Sequence, residues 1–399
     1  VANVLLSTAD GRRFLIAQLM DSLGGGLSFV VLPWLVLDAG GSPSEAAAAF
    51  LVGTIPYVLL GLPAGDVGDR RQRRRVMELG VMVQLAAALV IPVVVLAGTD
   101  ARHLPLVLIY AAGLGVTAGR VFVDAAAFGA VSRLVGEGNF VEGQAGLSFV
   151  WSLGLLVGPA IGGALIGLLG ASEALWVQAA GFALAWALIA SMKVDLGPGE
   201  RSSDDTGGVM AGLMLVVRDP TLRMLTTVGM AWNLAVNMMY ALIVVFARGE
   251  LHADGPATGW MLAIGGGAGL VGGLAAPVVH RRLGAGLALR VALLGSGLGA
   301  IALALAGNVY TGTIGFSLLE AFGLLFITLL IGERQNRVGH NEQARVGITG
   351  RMAALLASTV GGLLATALVA HMPASSVYGL AAGGTVAVAL LSQRSLRAV

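Results

Sequence analysis

Twelve stretches of mostly apolar residues recur along the chain, each bounded by charge, glycine or proline. Each approaches or exceeds the roughly 20 helical residues needed to cross a hydrocarbon layer ~30 Å thick. Their approximate limits read 13–37, 45–68, 75–98, 104–130, 142–168, 172–192, 222–247, 257–279, 286–306, 309–331, 347–370 and 374–392. The connectors are short except for 193–221, which contains Gly-Glu-Arg-Ser-Ser-Asp-Asp-Thr-Gly-Gly and breaks the pattern into two sets of six. The expected fold is an all-α membrane protein of twelve transmembrane helices in two pseudo-symmetric six-helix bundles. Residues 1–192 would form the first bundle, 193–221 a cytoplasmic linker and 222–399 the second bundle. The halves also echo each other: Leu274-Ala-Ala-Pro-Val-Val-His-Arg-Arg-Leu-Gly284 follows span 8 as Leu62-Pro-Ala-Gly-Asp-Val-Gly-Asp-Arg-Arg-Gln72 follows span 2. Paired repeats of this kind are a transporter signature, because one half can rock against the other.

Composition agrees with that class and narrows it. The chain is 57% hydrophobic and only 12% charged, with a mean hydropathy of +0.87, whereas soluble domains carry about 25% charged residues. Its 60 glycines in 399 residues suit membrane helices, in which small residues let backbones approach closely. Cysteine is absent, which excludes disulfides and thiolate chemistry. The first apolar stretch follows Arg12-Arg13 and outruns a leader-peptide core, so it is expected to be a retained helix.

Charge then sets orientation. Basic residues near membrane helices stay in the cytoplasm. With the N-terminus inside, the cytoplasmic loops and span ends collect Arg12, Arg13, the Arg70–Arg75 cluster, Arg133, Lys193, Arg201, Arg218, Arg223, Arg281, Arg282, Arg290, Arg334, Arg337, Arg345, Arg351, Arg394 and Arg397. Only Arg102 and Arg248 fall outside, and Arg120 lies within a span. A missed helix would invert every later loop and spoil the asymmetry. Both termini are therefore expected in the cytoplasm of a multi-pass protein of the inner, or plasma, membrane.

Ionisable groups at bilayer depth are expensive and usually face a cavity or another helix. Here the deep polar groups fall on every third span: Asp21 on span 1, Arg120 and Asp124 on span 4, Asn233 and Asn237 on span 7, Glu320 on span 10. A shared wet pathway lined by these four helices would account for all of them. Helical spacing aligns Gln18, Asp21, Gly25 and Ser28 on one face; Met230, Asn233, Asn237 and Tyr240 on another; and Thr313, Ser317 and Glu320 on a third. Asp21, Asp124, Glu320 and Arg120 are the candidates for proton coupling. Gln18, Trp34, Met230, Asn233, Asn237, Tyr240 and Ser317 are the candidates for a cavity holding amphipathic molecules. Competing readings stay open: Asp124 as an ion-pair partner of Arg120 or Arg73, the asparagines as helix–helix contacts, and the tryptophans as packing or interfacial residues.

The charged run between spans 2 and 3, Gly-Asp-Val-Gly-Asp-Arg-Arg-Gln-Arg-Arg-Arg from Gly65 to Arg75, resembles the loop 2–3 signature of the major facilitator superfamily, Gly-x-x-x-Asp-Arg-x-Gly-Arg-Arg. Gly65, Asp69, Arg70, Arg73 and Arg74 match in register, and Gln72 stands where the second glycine is expected. The resemblance implies a cytoplasmic gate in which the aspartate caps a helix end and the arginines join a charge relay. On span 5, Gly154-Leu-Leu-Val-Gly158-Pro159-Ala-Ile-Gly162-Gly163 resembles the superfamily's antiporter motif, with core Gly-Pro-x-x-Gly-Gly. Ala145 occupies the upstream glycine position, and span 4 lacks the superfamily's arginine-glutamine-glycine spacing. With Leu32-Pro33-Trp34, the pattern looks most like the twelve-helix drug:proton antiporter branch related to macrolide and siderophore exporters.

That resemblance implies export of hydrophobic or amphipathic small molecules by proton antiport. The proton gradient would supply the energy, with no cofactor and no metal. The partners would be the small-molecule substrate, protons and the lipid bilayer, with no nucleic acid, and the protein would act as a monomer. A proton-coupled uptake symporter or facilitator on the same fold is the alternative. An enzyme finds no support: the five histidines are scattered and no nucleophile elbow occurs. Gly267-x-Gly269-x-x-Gly272 matches a dinucleotide fingerprint in form, but it lies inside span 8 with no strand before it.

Overall fold

The computed structural model of the chain describes residues 4–136, 138–197 and 208–392. Arg201, Arg394 and Arg397, three of the basic residues used to orient the chain, lie outside the described residues, as does the side chain of Asp69. Among the described residues twelve helices are long and apolar enough to cross a membrane, and there is no strand. Spans 1 to 6 are Ala9–Asp38, Pro43–Arg70, Arg73–Leu96, Leu106–Val135, Phe140–Leu168 and Ala171–Ala190. Spans 7 to 12 are Pro220–Gly249, Gly255–Leu283, Ala285–Ala304, Val309–Asn336, His340–Val369 and Ala374–Leu391.

Several helices outrun the apolar windows at their basic ends, with spans 4, 10 and 11 reaching Val135, Asn336 and His340. The window measures only the hydrocarbon crossing, whereas helical hydrogen bonding continues where charged side chains meet water. Start signals in the sequence set several boundaries. Ser42 caps span 2 through a capping box with Glu45, the Ser42 backbone N–H donating to Glu45 Oε2 at 2.7 Å. Asp219 accepts from the backbone N–H groups of Thr221 and Leu222 at 2.7 and 3.0 Å ahead of Pro220 at the start of span 7. Asn308 caps span 10 in the same way, through Tyr310 and Thr311. Such caps satisfy backbone donors that a helix end otherwise leaves unpaired.

The segment 193–221, expected to be a linker, is not wholly irregular. Its second half contains a helix, Gly208–Arg218, which packs on spans 7 and 11, with Gly212 against the backbone of Arg345 and the Thr349 side chain. Its apolar run is too short to cross a bilayer, so the window search passes over it.

The chain forms two compact units, Val1–Arg201 with Asp254–Gly259 and Ser202–Ala253 with Trp260–Val399. In the first, span 1 packs on spans 5 and 6, span 4 on spans 2 and 3, and span 3 on span 6. In the second, span 7 packs on spans 11 and 12, span 9 on span 10, and span 9 on span 12. Four of these pairings recur six spans later, which gives the sequence echo a packing basis. Phe14, Met77, Leu147 and Phe182 are fully buried in the first core. Gly24 admits the Phe182 ring, which a Cβ at that position would overlap at 2.6 Å. In the second unit the Phe246 and Tyr378 rings lie 4.7 Å apart, and the Tyr378 hydroxyl donates to the Met239 carbonyl at 2.9 Å.

Candidate functional site

Span 1 brings Asp21 into the middle of the first unit, where it is 1% exposed. Gln84 of span 3 donates from Nε2 to Asp21 Oδ1 at 2.7 Å. Arg120 of span 4 approaches from the other side, its Nε 3.7 Å from Asp21 Oδ2 and 3.9 Å from Asp124 Oδ2. One helical turn separates Arg120 from Asp124, so the i, i+4 spacing read from the sequence does bring the two together. Tyr57 of span 2 completes the group by donating to Asp124 Oδ2 at 2.6 Å, and Arg120 Nη2 reaches Ser22 Oγ at 3.4 Å. Gly25 makes the room: a Cβ there would occupy the place of the Arg120 guanidinium. Two carboxyls therefore face one guanidinium, and a proton on either carboxyl leaves the cluster neutral. Such neutrality matters because an uncompensated charge buried in a helix bundle is strongly destabilising.

The rest of the span 1 stripe does not face an open pathway. Gln18 is fully buried and its Oε1 accepts from Trp151 Nε1 of span 5 at 3.1 Å. Ser28 Oγ accepts from Gln178 Nε2 of span 6 at 2.6 Å. Trp34 is 8% exposed. Gln18 and Ser28, expected on the wall of a wet pathway, instead form a seam where span 1 meets spans 5 and 6. The physical reason is that a polar stripe is satisfied as well by neighbouring helices as by water.

In the second unit Glu320 of span 10 accepts a short hydrogen bond from the Tyr240 hydroxyl of span 7. The Tyr240 ring packs edge-on to Phe316, with centroids 6.3 Å apart. Gly269 of span 8 brings its backbone beside the carboxyl, since a Cβ there would sit 3.6 Å from Glu320 Oε2. Two glycines of the false dinucleotide fingerprint thus serve helix packing, Gly269 beside Glu320 and Gly272 against the Ala321 backbone, while a Cβ on Gly267 would meet nothing within 4 Å. No described basic side chain forms an ion pair with Glu320. Asn233 and Asn237 turn their amides onto their own helix, donating to the Gly229 and Asn233 carbonyls at 3.1 and 2.7 Å. Ser317 Oγ is buried without a hydrogen-bond partner. Trp232 is a packing residue, its Nε1 donating to Ser296 Oγ at 3.0 Å and its ring tilted against Phe326.

The charged run between spans 2 and 3 works inside the first unit. Arg74 pairs with Glu78 at 2.8 Å and donates to the Ala190 carbonyl that ends span 6 and to the Met192 carbonyl just beyond it, the latter at 2.5 Å. Arg70 pairs with Asp66 at 2.6 Å. Arg73 is buried, with its guanidinium against Gly129 of span 4. Gln72, the departure from the signature, sits at φ −61° and ψ 112°, a conformation open to any residue, so the turn has no need of glycine there. A Cβ on Gly65 would meet nothing within 4 Å.

The span 5 motif makes a close helix crossing with span 1. A Cβ on Gly158 would lie 2.7 Å from Gly26 Cα, and one on Gly154 would overlap the Ser22 Cβ. Gly162 lies alongside Leu27, and Gly163 abuts the backbone of Gly255 and Gly259 in the stretch that belongs to the first unit. Pro159 sits inside the helix at this crossing, within a ridge of small residues.

The family model described as Major Facilitator Superfamily matches residues 14–346. The chain belongs to the major facilitator superfamily. Among its relatives, the multidrug efflux pump Tap of Mycolicibacterium fortuitum is 31% identical over 296 residues, 69% of this chain and 69% of that protein. The multidrug efflux pump Tap of Mycobacterium tuberculosis (strain ATCC 25618 / H37Rv) is 32% identical over 315 residues, 74% of this chain and 72% of that protein. The solved nucleoside transporter NupG superposes with a TM-score of 0.77 over 98% of this chain and 99% of that one, at 12% identity, a likeness of fold alone. This facilitator is therefore a multi-pass membrane transporter with drug-efflux relatives.

Within the facilitator's second unit, a cavity of about 410 Å³ opens between spans 7, 10 and 11. Met230 and Asn233 line it, whereas Asn237, Tyr240 and Ser317 are not among its lining residues. Sequence reasoning missed Tyr57 and Gln84, which lie on spans outside the period of three. Gln84 carried a signal: it is the only uncharged polar side chain in the interior of span 3.

Proposed function

We propose that this facilitator exports hydrophobic or amphipathic small molecules across the inner membrane by proton antiport, through alternating access, with both termini in the cytoplasm. The observation that carries the proposal is Glu320. Its carboxyl lies on a membrane span with a tyrosine hydroxyl as its hydrogen-bond partner and no described cation paired with it, so one proton can arrive and leave without breaking an ion pair. The Asp21–Arg120–Asp124 cluster is the second proton-responsive element. The efflux-pump relatives and the Gly-Pro-x-x-Gly-Gly motif support the outward direction. The proton gradient is the energy source, no cofactor takes part, and the monomer is the working unit.

The test uses proteoliposomes loaded with a fluorescent lipophilic cation, with a proton gradient imposed in either sense. Antiport moves the dye against the proton flux. Accumulation in the same direction as the protons would identify a symporter and overturn the proposal.

A further inference from the structure

The cavity between spans 7, 10 and 11 carries two guanidinium groups that the proposed proton coupling does not use. It lies where the last turns of span 10 meet the first turns of spans 7 and 11, and its volume of about 410 Å³ is within the usual range of small-molecule pockets, about 300–1,000 Å³. Met230, Leu330 and Ile331 give it apolar walls, while Arg334 and Arg351 supply two guanidinium groups. No carboxylate is among its lining residues. Glu333, one position from Arg334, faces elsewhere and pairs with His280 at 3.5 Å.

Arg334 is only 8% exposed. Its Nη2 donates to the Val346 carbonyl at 3.2 Å, and its Nε is buried with no hydrogen-bond partner. Gly350 is what lets the guanidinium lie along span 11, because a Cβ there would occupy the same space. Arg351 is exposed. A guanidinium carries five donors in a rigid fork suited to a carboxylate or phosphate, and a buried one without a counter-charge is unfavourable by several kcal/mol. The pocket is thus complete on its apolar side and open on its ionic side.

We infer that this cavity binds a small amphiphilic anion, an organic carboxylate or phosphate monoester whose head takes Arg334 and Arg351 and whose apolar body lies against Met230, Leu330 and Ile331. The cavity suits one ring system or short chain and is too small for the paired acyl chains of a bilayer lipid. The site goes beyond the exporter reading and stands whichever way transport runs.

The test is calorimetric titration of the whole protein in phosphatidylcholine nanodiscs with naphthoate, against its neutral counterpart naphthamide. Naphthoate is expected to bind about tenfold more tightly. Arg334→Gln and Arg351→Gln should each reduce that preference to about threefold or less. Gly347→Leu fills the cavity, since a Cβ there meets no atom within 4 Å, and should weaken both ligands by about tenfold without lowering the thermal midpoint. Should Arg334→Gln misfold, Arg351→Gln and Gly347→Leu carry the test, because both positions are exposed. Equal affinities for naphthoate and naphthamide would overturn the inference, and so would naphthoate binding indifferent to Gly347→Leu. Adding phosphatidylglycerol to the nanodiscs should leave naphthoate binding unchanged; strong competition would assign the pocket to a lipid headgroup and overturn the free amphiphile. Binding is the readout, so failure here is separable from failure of the dye assay.

Discussion

In the first bundle two carboxyls, Asp21 and Asp124, share the Arg120 guanidinium and take further hydrogen bonds from Gln84 and Tyr57. In the second bundle Glu320 accepts a hydrogen bond from Tyr240 and, among the described residues, pairs with no basic side chain. The six-span repeat that relates the bundles preserves their helix pairing but not this chemistry. A network of five side chains holds its charges in place, and removing one member strands the others. A carboxyl with a single neutral partner can change protonation with little rearrangement. The first site is thus built mainly for stability, and under the proposed antiport proton exchange would fall mainly to the second.

The largest effect should come from Arg120→Leu, which leaves the buried Asp21 and half-buried Asp124 carboxyls without their cation. A loss of about 3–5 kcal/mol is expected, read as a collapse of the thermal midpoint of the purified protein. The charge-free triple Asp21→Asn, Arg120→Gln, Asp124→Asn should recover much of it, and a triple variant as unstable as Arg120→Leu would count against the network. Gly25→Val comes next, because its side chain displaces the guanidinium; overpacking of this kind typically takes about 1–3 kcal/mol. Tyr57→Phe should lower stability by about 1 kcal/mol and leave the pH profile of transport where it was. Tyr240→Phe, at a similar stability change, should move that profile; profiles that move equally would erase the contrast between the bundles. Glu320→Gln should alter stability least, by less than about 1 kcal/mol, since the amide oxygen can still accept from Tyr240. Proton-driven dye transport should nevertheless be lost in Glu320→Gln while dye exchange without a gradient persists. Full activity with an unchanged pH profile would make Glu320 structural.

The helices and their number were legible in the sequence because a bilayer allows few ways to satisfy a backbone, and about 20 apolar residues in a row report one of them. The positions of Asp21, Arg120, Asp124 and Glu320 were legible for a related reason: charge stands out against hydrocarbon. Their partners were not. Tyr57 and Gln84 lie on spans 2 and 3, and residues of these types in an apolar helix look the same whether they serve a carboxyl or a neighbouring helix. The direction of a stripe was equally hidden. Gln18 and Ser28 share a face with Asp21, yet Gln18 meets span 5 and Ser28 meets span 6, because both of those spans pack on span 1. Helix Gly208–Arg218 was not legible because its 11 residues are far short of the roughly 20 that mark a membrane span. Arg334 and Arg351 read as orientation markers only, since nothing in a linear pattern places two arginines 17 positions apart on the wall of one cavity.

Arg74 has a consequence for biosynthesis. The carbonyls it binds, those of Ala190 and Met192, are made 116 and 118 residues after it. A chain emerging from its N-terminus must therefore insert span 3 while the arginine at its head has Glu78 alone, and only when span 6 is finished can that guanidinium reach the helix end it closes. The first bundle is sealed by its last helix, and a chain stopped short of span 6 would leave the seal undone.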